Sequence, residues 1–217
     1  MKSTNVVQNL FESYITPTMQ GFKLRIVNNS FIYTRKEAET VQQIEFIPQI
    51  STEDGKIIYL RIYPRINVYF KKVNDMARVI FDSCLTETCV ENSIDNSTYC
   101  VPVDMTYKKG KIKRGAANMT SADCSDEAKR VQSIVSEKAL PLLDNLKTTD
   151  DFIACWENHV IMYPHRFAVY IICAYLLKGN TKKAKKTAEE YFKKINNISE
   201  YEAVTQYIKN NRFQSQL

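Results

Sequence analysis

Cys155 and His159 stand four residues apart, on one face of any helix that reaches both. A thiol beside an imidazole could form a thiolate nucleophile, and the same pair could supply two metal ligands. Cysteine nucleophiles usually meet a histidine from elsewhere in the chain, so the bland reading seats Cys155 in a core and His159 near a helix end. The other histidine is His165, and an enzyme would need a pocket assembled around Cys155, His159 or His165. Cys84, Cys89, Cys100 and Cys124 could together hold zinc, but no C-x2-C pair occurs and Cys84 fills an apolar slot of a helical pattern. Glu53-Asp54 and Asp150-Asp151 pair carboxylates at a turn and at a helix start, where solvation and the helix dipole account for them. No set of residues amounts to a recognisable active site, so no catalytic residue, cofactor or metal is assigned.

The strongest candidate for function is one face of a strand. From Ile57 to Phe70 the even positions are Ile58, Leu60, Ile62, Pro64, Ile66, Val68 and Phe70. Between them stand Tyr59, Arg61, Tyr63, Arg65, Asn67 and Tyr69. Successive side chains of a strand point to opposite faces, so one face is apolar and the other carries Tyr, Arg and Asn. Tyr59, Arg61, Tyr63, Arg65 and Tyr69, with Arg25 and Lys23 on a nearby strand, could stack bases and meet phosphates. They could equally be cross-strand pairs or packing residues, and Gln43, Glu45 and Gln49 on the neighbouring strand dilute the positive field.

The totals bound these readings. The chain has 217 residues, 44% of them hydrophobic, enough for one large domain or two small ones. Five glycines and no GxGxxG or GxxxxGK[ST] pattern remove the case for a Rossmann or P-loop nucleotide site. A net charge of +6 is milder than a nucleic-acid domain usually carries. The longest apolar run, Phe167 to Leu177, is about half of the ~20 residues that span a bilayer, and residues 1–10 lack the apolar core of a signal peptide. The expected protein is cytoplasmic, with reduced cysteines and no membrane partner.

The elements that must position these residues follow from periodicity. Val7, Leu10, Phe11, Tyr14 and Ile15 predict a helix over Asn5–Ile15, ended by Pro17. Strands are expected at Phe22–Val27, Phe31–Arg35, Thr40–Ile50 and Ile57–Phe70, with Asn28-Asn29-Ser30 as a turn. Pro48 is a point for the third strand to bend or end, and Pro64 belongs at an edge, bulge or break. Val73, Met76, Ala77, Ile80, Phe81 and Cys84 predict a helix packed on the sheet's apolar face. Residues 86–124 show no sustained period beyond a short strand within Thr98–Tyr107 and a basic loop at Lys108–Arg114. Helices are then expected at Asp126–Leu143, Asp150–Asn158, Arg166–Lys178, Thr181–Ile195 and Glu200–Asn210, with Gly179-Asn180 as a stop and turn. Thr148 with Asp151 and Ser199 with Glu202 have capping-box spacing. The lysines of Thr181–Ile195 read as a solvated face.

Two stretches resemble known families. Phe167–Ile195, centred on AYLLKGNTKKAKKTAEEYFKKI, resembles one tetratricopeptide-type helical hairpin. A solenoid needs about three such units, so it is read as an isolated hairpin. Residues 1–82, with GFKLR and FIYTRKEAETVQQIEFIPQ, and the later LPLLDNLKTTDDFIACW, resemble a family of uncharacterised bacterial proteins of unknown function. That resemblance implies an immunity-like or interaction role and carries no catalytic residue. The expected fold is α+β: a four-stranded antiparallel meander in residues 1–85, an irregular segment at 86–124 and a helical subdomain at 125–217. The expected function is non-enzymatic binding of a protein partner. The alternatives are single-stranded nucleic-acid binding through the Tyr/Arg face and, third, an enzyme with an unrecognised site.

Overall fold

The computed structural model describes residues 3–54, 56–81, 99–102, 107–108, 111–112, 124–158, 164–193 and 196–214. The chain divides into two compact units, Met1–Val68 with Cys100–Leu146 and Tyr69–Tyr99 with Lys147–Leu217.

The first unit is built on a sheet of β1 (Lys23–Val27), β2 (Ser30–Lys36), β3 (Thr40–Glu53) and β4 (Lys56–Phe70), an antiparallel meander that β5 (Tyr99–Pro102) extends. Asn28 and Asn29 both take positive φ, 48° and 67°, which makes the β1–β2 link a two-residue turn of the type that matches strand twist. Asparagine tolerates that left-handed region better than other side chains. The turn sets the register Val27↔Ser30, Arg25↔Ile32 and Lys23↔Thr34, while Phe31↔Phe46 and Tyr33↔Ile44 align β2 with β3. β3 does not end at Pro48. It continues to Glu53, because beyond Phe46 it has outrun β2 and a residue without an N–H costs no ladder bond there.

One face of this sheet is the core. Phe31, Tyr33, Ile44, Phe46, Leu60, Ile62, Ile66 and Val68 are buried on it. The N-terminal helix α1 (Ser3–Leu10) and the turns after it lay Phe11 against them, stacked on Phe31 at 3.9 Å and edge-on to Phe46 at 5.3 Å. The Tyr33 hydroxyl, buried with its ring, is satisfied by Thr16 Oγ1 at 2.7 Å.

The helices of this unit adapt to proline in one way. α1 widens into a π turn at Phe11–Ile15 just before Pro17. α3 (Cys124–Ile134) widens at Val135–Ala139 just before Pro141, then continues as α4 (Leu140–Asp144). In each case the N–H after the π turn reaches back five residues, Thr16 to Phe11 and Leu140 to Val135. A proline supplies no N–H and its ring crowds the carbonyl four residues back, and a wider turn relieves both problems. Pro141 therefore bends the hydrogen-bond ladder without stopping the helix.

The second unit contains α2 (Lys71–Phe81), α5 (Thr149–Glu157), α6 (Pro164–Leu177), α7 (Thr181–Ala188) with a π turn at Glu189–Lys193, and α8 (Ile198–Gln214). Within this unit α2 packs on α6 and α8. Conversely, α3 and α4 belong with the sheet, so the units do not follow the order of the segments. Within this unit Phe81 meets Phe192 at 5.9 Å and Phe70 meets Phe152 at 5.2 Å. α6 buries five successive residues, Ile171, Ile172, Cys173, Ala174 and Tyr175, and Ala168 one turn earlier, as its nearly all-apolar sequence requires.

Two local signals act as expected and one does not. Thr148 caps α5 with a full capping box: Asp151 N donates to Thr148 Oγ1 at 3.2 Å and Thr148 N donates to Asp151 Oδ2 at 2.8 Å. Ser199 caps nothing; it lies inside the first turn of α8, and its hydroxyl donates to Glu200 Oε2 at 2.8 Å. Gly179, at φ 71°, ends α6 in a Schellman arrangement, with Asn180 N donating to the Tyr175 carbonyl and Gly179 N to that of Leu176. A Cβ on Gly179 would meet nothing within 4 Å, so only backbone strain opposes one. Gly179→Ala is expected to cost about 1 kcal/mol in urea unfolding.

Tyr107–Lys108 and Lys111–Ile112, where the end of a short strand at Tyr107 and a basic loop from Lys108 are expected, form a short antiparallel pair, Tyr107↔Ile112 and Lys108↔Lys111. No helix among the described residues is long and apolar enough to cross a membrane.

Candidate functional site

Tyr59, Arg61, Tyr63 and Arg65 share one face of β4, opposite its core face. Arg61 is buried, its guanidinium 3.7 Å from Glu127 and 5.9 Å from the centre of the Tyr63 ring. Arg65 pairs with Glu45 of β3, donating from Nε at 3.0 Å and Nη2 at 2.5 Å. Tyr63 is 38% exposed. Tyr59 is half-buried, as is Tyr69, which belongs to the second unit. Both β4 arginines thus have carboxylate partners, and the positive charge that a phosphate would meet is balanced inside the fold.

Glu127 does more than neutralise Arg61. Its Oε1 accepts the Ile62 N–H at 2.7 Å, and Arg130 Nη2 donates to the Ile62 carbonyl at 3.0 Å. Arg130 Nε and Nη2 each reach Glu127 at 2.7 Å. Two side chains of α3 therefore stand where a neighbouring strand would satisfy Ile62. Residues two apart present their backbone groups to the same edge, so the N–H that Pro64 lacks would point to this edge too. Pro64 needs no bend, bulge or break to be tolerated. Gln42 plays a related part: its Nε2 donates to the carbonyls of Leu143, in the last turn of α4, and Leu146, just beyond it, at 2.8 and 2.9 Å. Its Oε1 accepts from Arg35 at 2.6 Å, and Arg35 also meets Asp144 at 2.6 Å.

The nucleophile reading meets a different environment from the one it needs. Cys155 is buried, and desolvation, with Asp151 adding to it, pushes its thiol up to about 11. Cys173, deeper still, is raised further by burial. A reactive thiol is held the other way, low and near a cation. His159 lies outside the described residues, as do Cys84 and Cys89, and the side chains of Cys100 and His165 are not among those described. Among the described residues no three His, Cys, Asp or Glu side chains cluster to hold a metal. The thiols give a pH prediction. In the unfolded chain they lose protons near pH 9, whereas in the fold they keep them, so their contribution is constant below about pH 9 and falls as pH rises from there toward 11. Urea unfolding is expected to show this fall between pH 9 and pH 10.5, and Cys173→Ala is expected to make it shallower.

The surface with unmet binding capacity is β1. It is an outer strand of the sheet, and all five of its residues are exposed. Three are apolar: Leu24 is 41% exposed, Ile26 47% and Val27 37%. Ile26 also lines a cavity of about 150 Å³ with Val7, Gln8, Asn29, Phe31, Pro48 and Ile50. Sequence reasoning placed Lys23 and Arg25 beside the Tyr/Arg face but missed the edge itself. The pattern Leu24-Arg25-Ile26 marks an amphipathic strand without saying that no described strand lies beyond it.

The second unit has a groove of about 630 Å³ lined by Thr181, Lys182, Lys185, Lys186, Thr205 and Lys209 among others, with Glu189 the acidic member. The four lysines are exposed, and the three on α7 are in keeping with a solvated helix face. Comparison of the chain with family models, curated proteins and solved structures finds no match.

Proposed function

We propose that this protein is a non-enzymatic module that binds a protein partner, and that β1 is the contact surface. The observation that carries the reading is an outer strand with Leu24, Ile26 and Val27 exposed together. Single exposed apolar side chains are ordinary, but Leu24 and Ile26 on one face of an outer strand, beside a cavity lined mostly by apolar residues, with Val27 exposed on the other face, are a surface that a partner would cover. An immunity-like role is the sharpest form of this proposal and rests on the resemblance of residues 1–82. The pairing of Arg61 with Glu127 and of Arg65 with Glu45 weighs against the nucleic-acid alternative, because it removes the unopposed charge that drives phosphate binding.

The test is reconstitution of a complex from purified components, the partner having been identified in the native host's lysate. The wild-type chain is expected to hold the partner at least about tenfold more tightly than Ile26→Asp, which places a charge at the centre of the surface. A complex indifferent to Ile26→Asp would overturn the reading. So would binding of labelled single-stranded RNA that weakens with salt and requires Tyr63.

A further inference from the structure

The hydrogen-bond parity of the β1–β2 hairpin defines what the free edge offers. In a two-residue hairpin the residues flanking the turn form a pair that exchanges both backbone bonds, and such pairs then alternate with pairs that exchange none. Val27↔Ser30 is therefore bonded, as are Arg25↔Ile32 and Lys23↔Thr34. Leu24 and Ile26 stand in the alternate pairs, opposite Tyr33 and Phe31, so their N–H and C=O groups point away from β2 to the open edge. The second turn agrees. Glu37 N donates to the Thr40 carbonyl at 2.9 Å, which makes Arg35↔Gln42, Tyr33↔Ile44 and Phe31↔Phe46 the bonded pairs on the far side of β2.

The side chains sort by the same parity. Leu24 and Ile26 lie on the core side of the sheet, with Ile26 in the wall of the apolar cavity. Lys23 and Arg25 lie on the other side, exposed and without an ion pair among the described residues. We propose that β1 takes up an extended segment of the partner as an added strand, and that this segment alternates apolar and acidic residues. This deepens the protein-binding reading and rests on it. The segment's backbone bonds to Leu24 and Ile26, its apolar side chains lie over Leu24, Ile26 and the cavity, and its carboxylates meet Lys23 and Arg25. A second copy of this chain is the wrong occupant. Pairing β1 with itself would bring two Lys23 and two Arg25 side chains onto one face of a four-cation ladder, an arrangement that edge strands use to prevent self-pairing.

The experiment titrates the full chain with two labelled peptides, one of alternating valine and glutamate and one of alternating valine and lysine. The acidic peptide is expected to bind at least about tenfold more tightly. Ile26→Pro removes an outward N–H together with the Ile26 side chain but no bond to β2, so it is expected to keep the β1–β2 ladder and weaken the acidic peptide by about tenfold or more, and by clearly more than Ile26→Ala, which loses the side chain alone. The double charge reversal Lys23→Glu with Arg25→Glu leaves every backbone group in place and is expected to invert the preference between the two peptides, which keeps the proposal testable if the proline variant does not fold. Equal binding of both peptides by the wild type, or no inversion on charge reversal, would overturn it. So would sedimentation of the wild type as a dimer that Ile26→Pro dissolves. Failure here is separable from failure of the protein-binding reading: a purified partner released by Ile26→Asp but held normally by the proline and charge-reversal variants would leave the surface standing and strand addition refuted.

Discussion

Glu127→Ala is expected to destabilise the fold by about 3–5 kcal/mol, the range for removing one partner of a buried charged pair. Glu127 is buried, and its two oxygens serve the Ile62 N–H, Arg130 and Arg61. Alanine would leave Arg61 buried without a countercharge, free Arg130 from the position in which it caps the Ile62 carbonyl, and strand the Ile62 N–H. Among the described residues Arg61 Nη1 and Arg130 Nη1 have no hydrogen-bond acceptor, so no second protein acceptor described there replaces the carboxylate. Glu127→Gln keeps an acceptor for Ile62 and is expected to cost less, about 2 kcal/mol. Urea unfolding of the two variants checks this directly. Equal losses, or a loss near zero for alanine, would mean that water replaces the carboxylate and that the β4 edge is not closed by side chains.

Phe11→Ala is expected to cost about 3–5 kcal/mol, the usual range for emptying a buried aromatic site. Phe11 is fully buried at the start of the first π turn, and its ring touches Phe31 on β2 and Phe46 on β3. It is the point at which α1 grips two strands at once. Stacking and edge-on contacts add to the transfer of the ring from water, and the neighbours cannot collapse far because Phe46 also holds Tyr33 edge-on at 5.7 Å. Val79→Ser, at a site 73% exposed on α2, is the control and is expected to change stability by less than about 0.5 kcal/mol. Thermal or urea unfolding reads both.

What the sequence made legible was local. The alternation from Ile57 to Phe70 identified β4 and its buried face, and Asn28-Asn29, Gly179-Asn180 and Thr148 with Asp151 act as the turn, stop and cap that their chemistry suggests. Those signals depend on residues within four positions of one another. The features that escaped join distant ones. Glu127 reaches Ile62 across 65 residues and Gln42 reaches Leu143 across 101, and a carboxylate or amide does not announce which backbone group it will satisfy. The partners of α2 escaped for the same reason: its apolar stripe shows that it packs, but not that it packs on α6 and α8. The candidate site was half legible. Arg61 and Arg65 were visible as charges, whereas the carboxylates that balance them were not. The openness of β1 is a property of the sheet's strand order and has no residue of its own.

Hydrogen exchange at the β1 amides, followed by NMR with and without the valine–glutamate peptide, tests the account most directly. In the free chain the Arg25 and Val27 amides are expected to be protected, while those of Leu24 and Ile26 exchange freely. At saturating peptide the Leu24 and Ile26 amides are expected to slow by about tenfold or more. Leu24 and Ile26 amides that stay fast with the peptide bound would contradict an added strand, and protection of those two amides in the free chain would mean that the edge is not open.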